Sequence, residues 1–289
     1  MVRLLLRNRA KRVLFLAVFL SFSLVSCVSH LEQAKLYYAR GQRQARLYLT
    51  AEAVASYKRA LQEAGEETKK HPSAQAYAVK GMAELNLEMW EEAQASFLEA
   101  SSYGFAEGEE WATEISVVGL ASAFGELGLR DAALRGYETL LEKSKFKPVL
   151  FVAAQRYVNL RVVQALAADE KERIKIITES IKFIEKLSDK DWSCGFYHYL
   201  LSQLRSHLGD YERSFEEAVL ARELRLPAEK ITRDNDLQII FCYQELRKVL
   251  GPQEWKDFEI RYSVWIKRWG WADPQTPAWK EGANHAADD

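Results

Sequence analysis

The chain has 289 residues, of which 48% are hydrophobic, and its 40 basic and 41 acidic side chains give a net charge of −1. A nucleic-acid-binding surface needs an excess of basic side chains to displace counterions, so this balance argues against a nucleic-acid partner. Only six prolines interrupt the sequence. This composition favours one continuous helical array whose core lengthens by repetition.

The N-terminal segment differs from the rest of the chain. Five basic residues precede an apolar run from Val13 to Ser26, which is too short for a comfortable membrane span. The run ends in Leu24-Val25-Ser26-Cys27, which resembles the lipobox of bacterial lipoproteins. The resemblance implies a signal peptide at residues 1–26, a lipid on Cys27 and, because valine and not aspartate follows the cysteine, sorting to the outer membrane. A plain signal peptide or a short anchor helix is the alternative.

Loss of residues 1–26 removes five positive charges and no negative ones, so the net charge falls from −1 to −6. Cys194 and Cys242 are then the remaining unmodified cysteines. One pair is not a disulfide framework, and both positions lie in aromatic-rich helical stretches, so buried thiols are expected. Cys194 and His198 could share a helix face, but two ligands do not make a zinc site. Neither a metal nor a cofactor is expected.

A repeat is visible in the first half of the chain. Five residues recur 40 positions later: Tyr37, Gly41, Ala53, Tyr57 and Ala60 return as Tyr77, Gly81, Ala93, Phe97 and Ala100. Self-similarity at a fixed period indicates a repeat architecture. The polar stretch from Gln62 to Ser73 contains a glycine and a proline, and it predicts a lengthened turn between the two repeats.

The clearest repeat unit ends in the stretch Leu208–Pro227, which reads LGDYERSFEEAVLARELRLP. A tight turn precedes a helix with small residues at Ser214, Ala218 and Ala221, and Pro227 closes the unit. This pattern resembles the second half of a tetratricopeptide repeat (TPR). The resemblance implies an all-α solenoid of about five helix pairs, because small side chains let the second helix of each pair lie close against the first.

The other elements follow in chain order. The second pair joins a helix ending at Leu87 to one starting near Trp90, and the third joins Trp111–Leu127 to a helix after Gly128. The fourth pair, Val149–Ala168 and Lys171–Leu187, lacks the glycine turn and is only repeat-like. The fifth joins Trp192–Leu208 to the stretch described above. The repeats are expected to occupy residues 27–227, followed by capping helices at 228–270 and a tail at 271–289.

The last predicted helix, Glu254–Trp269, carries an aromatic stripe. Its rings are spaced three and four residues apart and therefore share one face: Trp255, Phe258, Tyr262, Trp265 and Trp269. The stripe is expected to seal the end of the array against the predicted helix Ile231–Leu250. The alternative is a docking or membrane-surface helix, because basic residues flank the rings: Lys256, Arg261, Lys267 and Arg268.

No enzyme signature is present, since the sequence lacks a glycine-rich phosphate loop, HExxH and GxSxG. His198 and His207 could act as acid–base groups, but a histidine on a packed helix is more often structural. The chain is therefore not expected to be an enzyme.

The TPR resemblance also implies a ligand-binding groove, lined by the first helix of each pair. Carried over residue by residue, the groove positions are Lys35, Tyr38, Gln42, Arg46, Met82, Asn86, Ser122, Glu126, Gln155, Asn159, Tyr199, Gln203 and His207. Amides recur among them, and an amide both donates and accepts, so such a row could pair with the backbone of an extended peptide. Ordinary polar surface is the open alternative. The two-lysine carboxylate clamp of chaperone-binding members is not reproduced.

These features predict a lipid-anchored scaffold that faces the periplasm and binds an envelope protein or peptide. The role would be assembly or adaptor work in an outer-membrane, pilus, secretion or transport machine. The alternative is a small-molecule-binding or transporter-accessory lipoprotein that uses the groove or a pore between subunits. The sequence does not indicate the oligomeric state.

Overall fold

A computed structural model describes residues 29–191 and 193–269, without the side chains of residues 267–269. The predicted signal peptide, Cys27 and the tail at 271–289 lie outside these residues. All regular elements in the described part are α-helices, as predicted. They are α1 His30–Arg46, α2 Thr50–Lys70, α3 Ala74–Asn86, α4 Trp90–Tyr103, α5 Glu110–Glu126, α6 Arg130–Lys143, α7 Lys147–Leu166, α8 Glu170–Lys190, α9 Gly195–Ser206, α10 Tyr211–Glu223, α11 Glu229–Val249, α12 Pro252–Arg261 and α13 Ser263–Trp269.

The described helices form two compact units, with the division between residues 127 and 128. In the first unit, α1 packs on α2 and α3 on α4, while α2 also contacts α3 and α4 contacts α5. In the second unit, each helix from α6 to α10 contacts the next one along the chain. Among the described helices, none is both long enough and apolar enough to cross a membrane.

The 40-residue repeat is present in the structure. Residues 51–60 and 91–100 show the same alternation of buried and exposed positions. In the first pair a Cβ on Gly41 would lie 2.6 Å from the ring of Tyr57, and in the second a Cβ on Gly81 would lie 2.9 Å from the ring of Phe97. These distances are too short for a side chain, so each glycine lets an aromatic ring of the partner helix pack against its backbone.

One turn geometry occurs four times between consecutive helices of the described chain. Tyr48 has a φ of 59°, Glu88 of 61°, Gly128 of 78° and Gly209 of 74°. All four lie two residues before the helix that follows the turn, and all are left-handed. Glycine adopts this conformation without steric penalty, whereas tyrosine and glutamate adopt it with strain. The turn geometry therefore belongs to the repeat and persists where the favoured residue is missing.

The prediction of a lengthened turn at Gln62–Ser73 is wrong. Helix α2 continues to Lys70, and it buries Ala64 and Glu67 on its inner face. Ala64 packs with Ala34 and Val79 in a small core cluster. Burial of this face outweighs the weak helix propensity of the glycine at position 65. Residues 62–70 therefore extend α2 and do not form a turn.

The second unit uses other close contacts between its helices. A Cβ on Gly195, at the start of α9, would lie 2.6 Å from the carbonyl oxygens of Ala221 and Arg225. Further along the same pair, the Ser214 hydroxyl donates to the Ser202 carbonyl over 2.7 Å. Glycine and serine thus allow α9 and α10 to approach closely, as predicted for small residues at these offsets.

The last predicted helix of the C-terminal cap, Glu254–Trp269, is divided into two helices, α12 and α13. The chain turns at Tyr262, between α12 and α13. Phe258 and Tyr262 are only 1% and 4% exposed, and they pack with Phe215 of α10 and Tyr243 of α11 in one cluster. Trp255 and Trp265 border this cluster. The aromatic stripe therefore covers the end of the helix pairs, and the side chain of Trp269 lies outside the described residues.

Candidate partner-binding surface

Three of the predicted groove residues come together in one hydrogen-bond network. The Gln42 side-chain amide on α1 donates to the Tyr38 hydroxyl over 3.0 Å and to Oδ1 of Asn86 on α3 over 3.2 Å. The Asn86 amide donates to the Met82 carbonyl over 2.8 Å and to the Tyr38 hydroxyl over 3.4 Å. All three side chains are half-buried. We call them the tyrosine–amide network, and it joins the first helices of two successive repeats.

Within the described residues, the network leaves one hydrogen-bond donor and one acceptor unused. The Tyr38 hydroxyl accepts from both amides, and within the described residues it donates to no group. Burial, with a smaller contribution from Tyr57, raises the pKa of Tyr38 far above its ordinary value, so the hydroxyl keeps its proton. Oε1 of Gln42 likewise has no hydrogen-bond partner in the described part of the chain.

The other predicted residues of α1 and α3 lie near this network. Lys35 pairs with Glu32 over 2.9 Å, and its ammonium group lies 5.6 Å from the ring centre of Trp111 on α5. Arg46 is exposed near the end of α1. Met82 is partly buried against the core cluster around Phe97, so only part of its side chain can face a ligand.

On α5 the prediction needs a correction. Ser122 is only 6% exposed, and its hydroxyl donates to the Val118 carbonyl of its own helix over 2.8 Å. The face of α5 that carries Ser122 is used for packing, and serine satisfies its hydroxyl within the helix. Ser122 therefore does not line an open surface. Glu126 at the end of α5 is exposed.

The second unit contains the same tyrosine–amide pair, but its tyrosine is buried. The Gln203 amide donates to the Tyr199 hydroxyl over 2.8 Å, with the same spacing of four residues as Gln42 and Tyr38. Tyr199 is only 4% exposed, and this burial raises its pKa to about 12. The expectation that Tyr199 faces a groove is therefore wrong, because neighbouring helices cover its ring. Gln203 is half-buried, and His207 is exposed.

The remaining predicted pair lies on α7. The Gln155 amide donates to Oδ1 of Asn159 over 3.0 Å, and Asn159 is exposed. The predicted amides thus pair along their own helices at a spacing of four residues. Only Gln42 and Asn86 pair between two helices.

Sequence reasoning missed a small cleft in the second unit, with a volume of 170 Å³. Its apolar wall includes Phe151 and Tyr197, and Lys147 and Asp191 form an ion pair of 3.2 Å at its edge. Cys194 also lines the cleft, and burial raises the pKa of its thiol, so it stays protonated at neutral pH. The cleft is smaller than the roughly 300–1,000 Å³ of typical small-molecule sites. It forms where four helix ends meet, which no sequence spacing signals.

His198 takes part in a polar contact between helices. Its Nδ1 lies 2.7 Å from the Glu217 carboxylate of α10, and its Nε2 lies 3.5 Å from the Ser188 hydroxyl of α8. Ser188 is only 7% exposed and does not line the cleft. This arrangement ties α8, α9 and α10 together. In the described part of the chain no cluster of three or more His, Cys, Asp or Glu side chains could hold a metal ion.

Comparison with known proteins gives similarity of structure alone. No protein-family model matches the chain, and no curated protein matches it. Among solved structures, YrrB, described as a TPR protein with an unusual peptide-binding site, is 16% identical, with a TM-score of 0.39, over 70% of this chain and 90% of its own. Pseudomonas aeruginosa PilF is 11% identical, with a TM-score of 0.45, over 80% and 99%. The TPR2AB domain of yeast Sti1, solved with pHSP90, is 12% identical, with a TM-score of 0.33, over 88% and 95%.

The internal evidence for the fold is more direct. The first two helix pairs recur with a period of 40 residues, and in both a glycine faces an aromatic ring of the partner helix. Four of the turns between consecutive helices share one left-handed position. These are the packing rules of a helical repeat. The chain therefore has an all-α, TPR-like α-solenoid fold, with helix pairs in each of its two units and a helical cap at the C-terminal end.

Proposed function

We propose that the chain is a lipid-anchored scaffold on the periplasmic side of a bacterial envelope, and that it binds an extended segment of another envelope protein. The observation that carries the binding role is the tyrosine–amide network. It brings Tyr38, Gln42 and Asn86 from two repeats together at a half-buried surface.

The chemistry of this surface fits a peptide backbone. A peptide offers carbonyl acceptors and N–H donors at a regular spacing, and the network offers the Tyr38 hydroxyl as a donor and Oε1 of Gln42 as an acceptor. The internal hydrogen bonds hold both groups in place before a ligand arrives, so less side-chain entropy is lost on binding. Contacts to the backbone also tolerate different side chains, which suits an adaptor.

Charged and aromatic groups near the network can add affinity. Arg46 is exposed at the end of the same helix, and Lys35 lies against Trp111. Arginine and aromatic side chains supply a large share of the binding energy in protein interfaces. We therefore expect Tyr38 and Arg46 to be the main contacts of the first unit.

The anchor and the location rest on the sequence. The ordered basic region, apolar run and Leu24–Cys27 motif support lipidation of Cys27, and Val28 supports the outer membrane over the inner one. A protein held at the periplasmic face of a membrane would meet assembly, pilus, secretion or transport machines. The 170 Å³ cleft is too small to favour a small-molecule function.

The test begins with capture of the partner by the detergent-solubilised chain and its identification by mass spectrometry. The affinity of that partner is then measured for Tyr38→Phe and Gln42→Ala. Each should bind about fivefold more weakly, since a hydrogen bond contributes roughly 1 kcal/mol.

Tyr37→Phe is the matched control. It removes a hydroxyl one residue away on the same helix, outside the network, and should bind the partner like the parent. If Tyr38→Phe and Gln42→Ala also bind like the parent, while the charge reversal Glu92→Lys on α4 releases the partner, the binding surface lies on the second helices.

A further inference from the structure

None of the other described helices covers the outward face of α1. Leu36, Arg40, Arg43 and Leu47 follow one another at spacings of four, three and four residues, which places them on one stripe of the helix and its C-cap. Leu36 is 65% exposed and Leu47 59% exposed, and both arginines are exposed as well. The stripe lies on the side of α1 opposite the buried Ala34. We call it the α1 outer face.

The apolar part of this face continues into the turn. Tyr48 is 75% exposed and Leu49 is 43% exposed, directly after Leu47. Single exposed apolar residues are common on protein surfaces, but several along one edge mark a site of contact with another surface. The left-handed backbone of Tyr48, with a φ of 59°, places its large ring at the tip of a turn where glycine would be less strained.

The charge of the face is positive. Among the described residues neither Arg40 nor Arg43 forms an ion pair with a carboxylate, and Arg46 adds a third exposed guanidinium nearby. The one acidic residue on the face is Glu32 at its N-terminal end, and it pairs with Lys35 over 2.9 Å. Arginines among leucines and a tyrosine are typical of a helix that lies in the headgroup region of a membrane.

The position of α1 in the chain supports a membrane and not a protein as the occupant. His30 begins α1 three residues after Cys27, so the helix starts within about 11 Å of that residue along the chain. With 17 residues, α1 is about 25 Å long. A lipid on Cys27 would hold the first turn of α1 at the bilayer, and the whole outer face would then be within reach of the headgroups.

We propose that the α1 outer face lies on a bilayer of anionic phospholipid, with the leucines and Tyr48 among the headgroups and Arg40 and Arg43 beside the phosphates. This proposal rests on the proposed lipid anchor at Cys27. Tyr38 lies about 200° around the helix from Leu36. The docked helix therefore presents the tyrosine–amide network away from the bilayer, open to a partner.

The experiment places an environment-sensitive fluorophore on Leu36→Cys in the lipidated full chain, in a Cys194→Ser background. Cys242 is fully buried and does not compete for the label. The matched control carries the label on Leu98→Cys, a position on α4 that is 48% exposed in the same unit. Both proteins are reconstituted in vesicles of phosphatidylethanolamine and phosphatidylglycerol that contain nitroxide-labelled lipid.

We expect nitroxide lipid to quench the label at position 36 several-fold more strongly than the label at position 98. The double variant Arg40→Gln/Arg43→Gln should lower the equilibrium constant for docking, and each lost arginine should lower it about fivefold. Arg130→Gln/Arg135→Gln removes the same charge from exposed positions of α6 and should leave the quenching unchanged. When phosphatidylcholine replaces the anionic lipid mixture, nitroxide lipid should quench the labels at positions 36 and 98 to the same extent.

Equal quenching at positions 36 and 98 in anionic vesicles, in a protein that stays in the membrane fraction, would overturn the docking but leave the anchor intact. Protection of position 36 by a co-purified protein in detergent would also overturn it, because the occupant would then be that protein. Mass spectrometry tests the anchor separately, because a protein without the lipid anchor would show an unacylated Cys27.

Discussion

Tyr38 with Gln42 in the first unit and Tyr199 with Gln203 in the second are the same local motif in two environments. Each pair is bridged by an amide donating to a tyrosine hydroxyl, over 3.0 Å in the first and 2.8 Å in the second. Tyr38 is half-buried and meets Asn86 of the next first helix, whereas Tyr199 is 4% exposed. A spacing of four residues on one helix brings the tyrosine and the amide together. The packing of neighbouring helices determines whether the pair is accessible to a ligand.

The largest expected effect comes from removing the two rings. Tyr199→Ala should reduce the free energy of unfolding by about 3–5 kcal/mol, the range for losing a large buried aromatic side chain. Tyr38→Ala should cost clearly less, because its ring keeps contact with solvent in the folded state. Urea unfolding of both variants beside the parent measures the difference. Equal losses would show that Tyr38 is as much a core residue as Tyr199.

The turns inside the pairs allow a second comparison between the units. Gly209→Ala in the second unit should reduce stability by roughly 1 kcal/mol, because alanine at positive φ is strained. Glu88→Gly in the first unit should raise stability by a similar or smaller amount. It relieves the same strain, but glycine also raises the conformational entropy of the unfolded chain, which offsets part of the gain. Thermal unfolding checks both, with Gly65→Ala as the control, because its Cβ would meet no atom within 4 Å. A stabilising Gly209→Ala would contradict the idea that one turn geometry serves both units.

The smallest expected effect concerns a buried carboxyl in the first unit. Glu84 is 2% exposed, and burial raises its pKa, although Ser96 and Lys80 offset part of the shift. The charged form is therefore disfavoured in the folded state, and stability is lost as the pH rises from the unfolded pKa through the raised folded pKa. Glu84→Gln copies the equivalent residue of the first repeat, Gln44, which accepts from Ser56 over 2.6 Å.

We expect Glu84→Gln to stabilise the protein at pH 7 and to have little effect at pH 3, where both states of the parent carry a protonated carboxyl. Denaturant titrations at the two pH values test this. The exposed Glu107→Gln in the same unit serves as the control and should show no such pH dependence. A variant that is equally stabilised at both pH values would mean that charge burial is not the cause.

Much of the fold followed from local patterns. The helical segments, the 40-residue repeat of the first unit and the small residue Ser214 at a close contact were predicted correctly, because each depends on spacing along one or two helices. Errors arose where tertiary burial overrode a local signal. Gly65 and Pro72 indicated a long turn, but burial of Ala64 extended α2 to Lys70. Four of the five rings in the predicted aromatic stripe meet in one cluster, but the break at Tyr262 had no sequence signal.

The candidate site shows the same division. The sequence alone determined which residues stand at groove positions, because the repeat assigns each residue a place on its helix. Only the tertiary structure decided which of them are open, since Ser122 and Tyr199 are covered by neighbouring helices while Gln42 and Asn86 meet across two repeats. Helix periodicity is a property of one segment, and a hydrogen bond between α1 and α3 depends on the distance and angle between two segments, which are determined when the core packs.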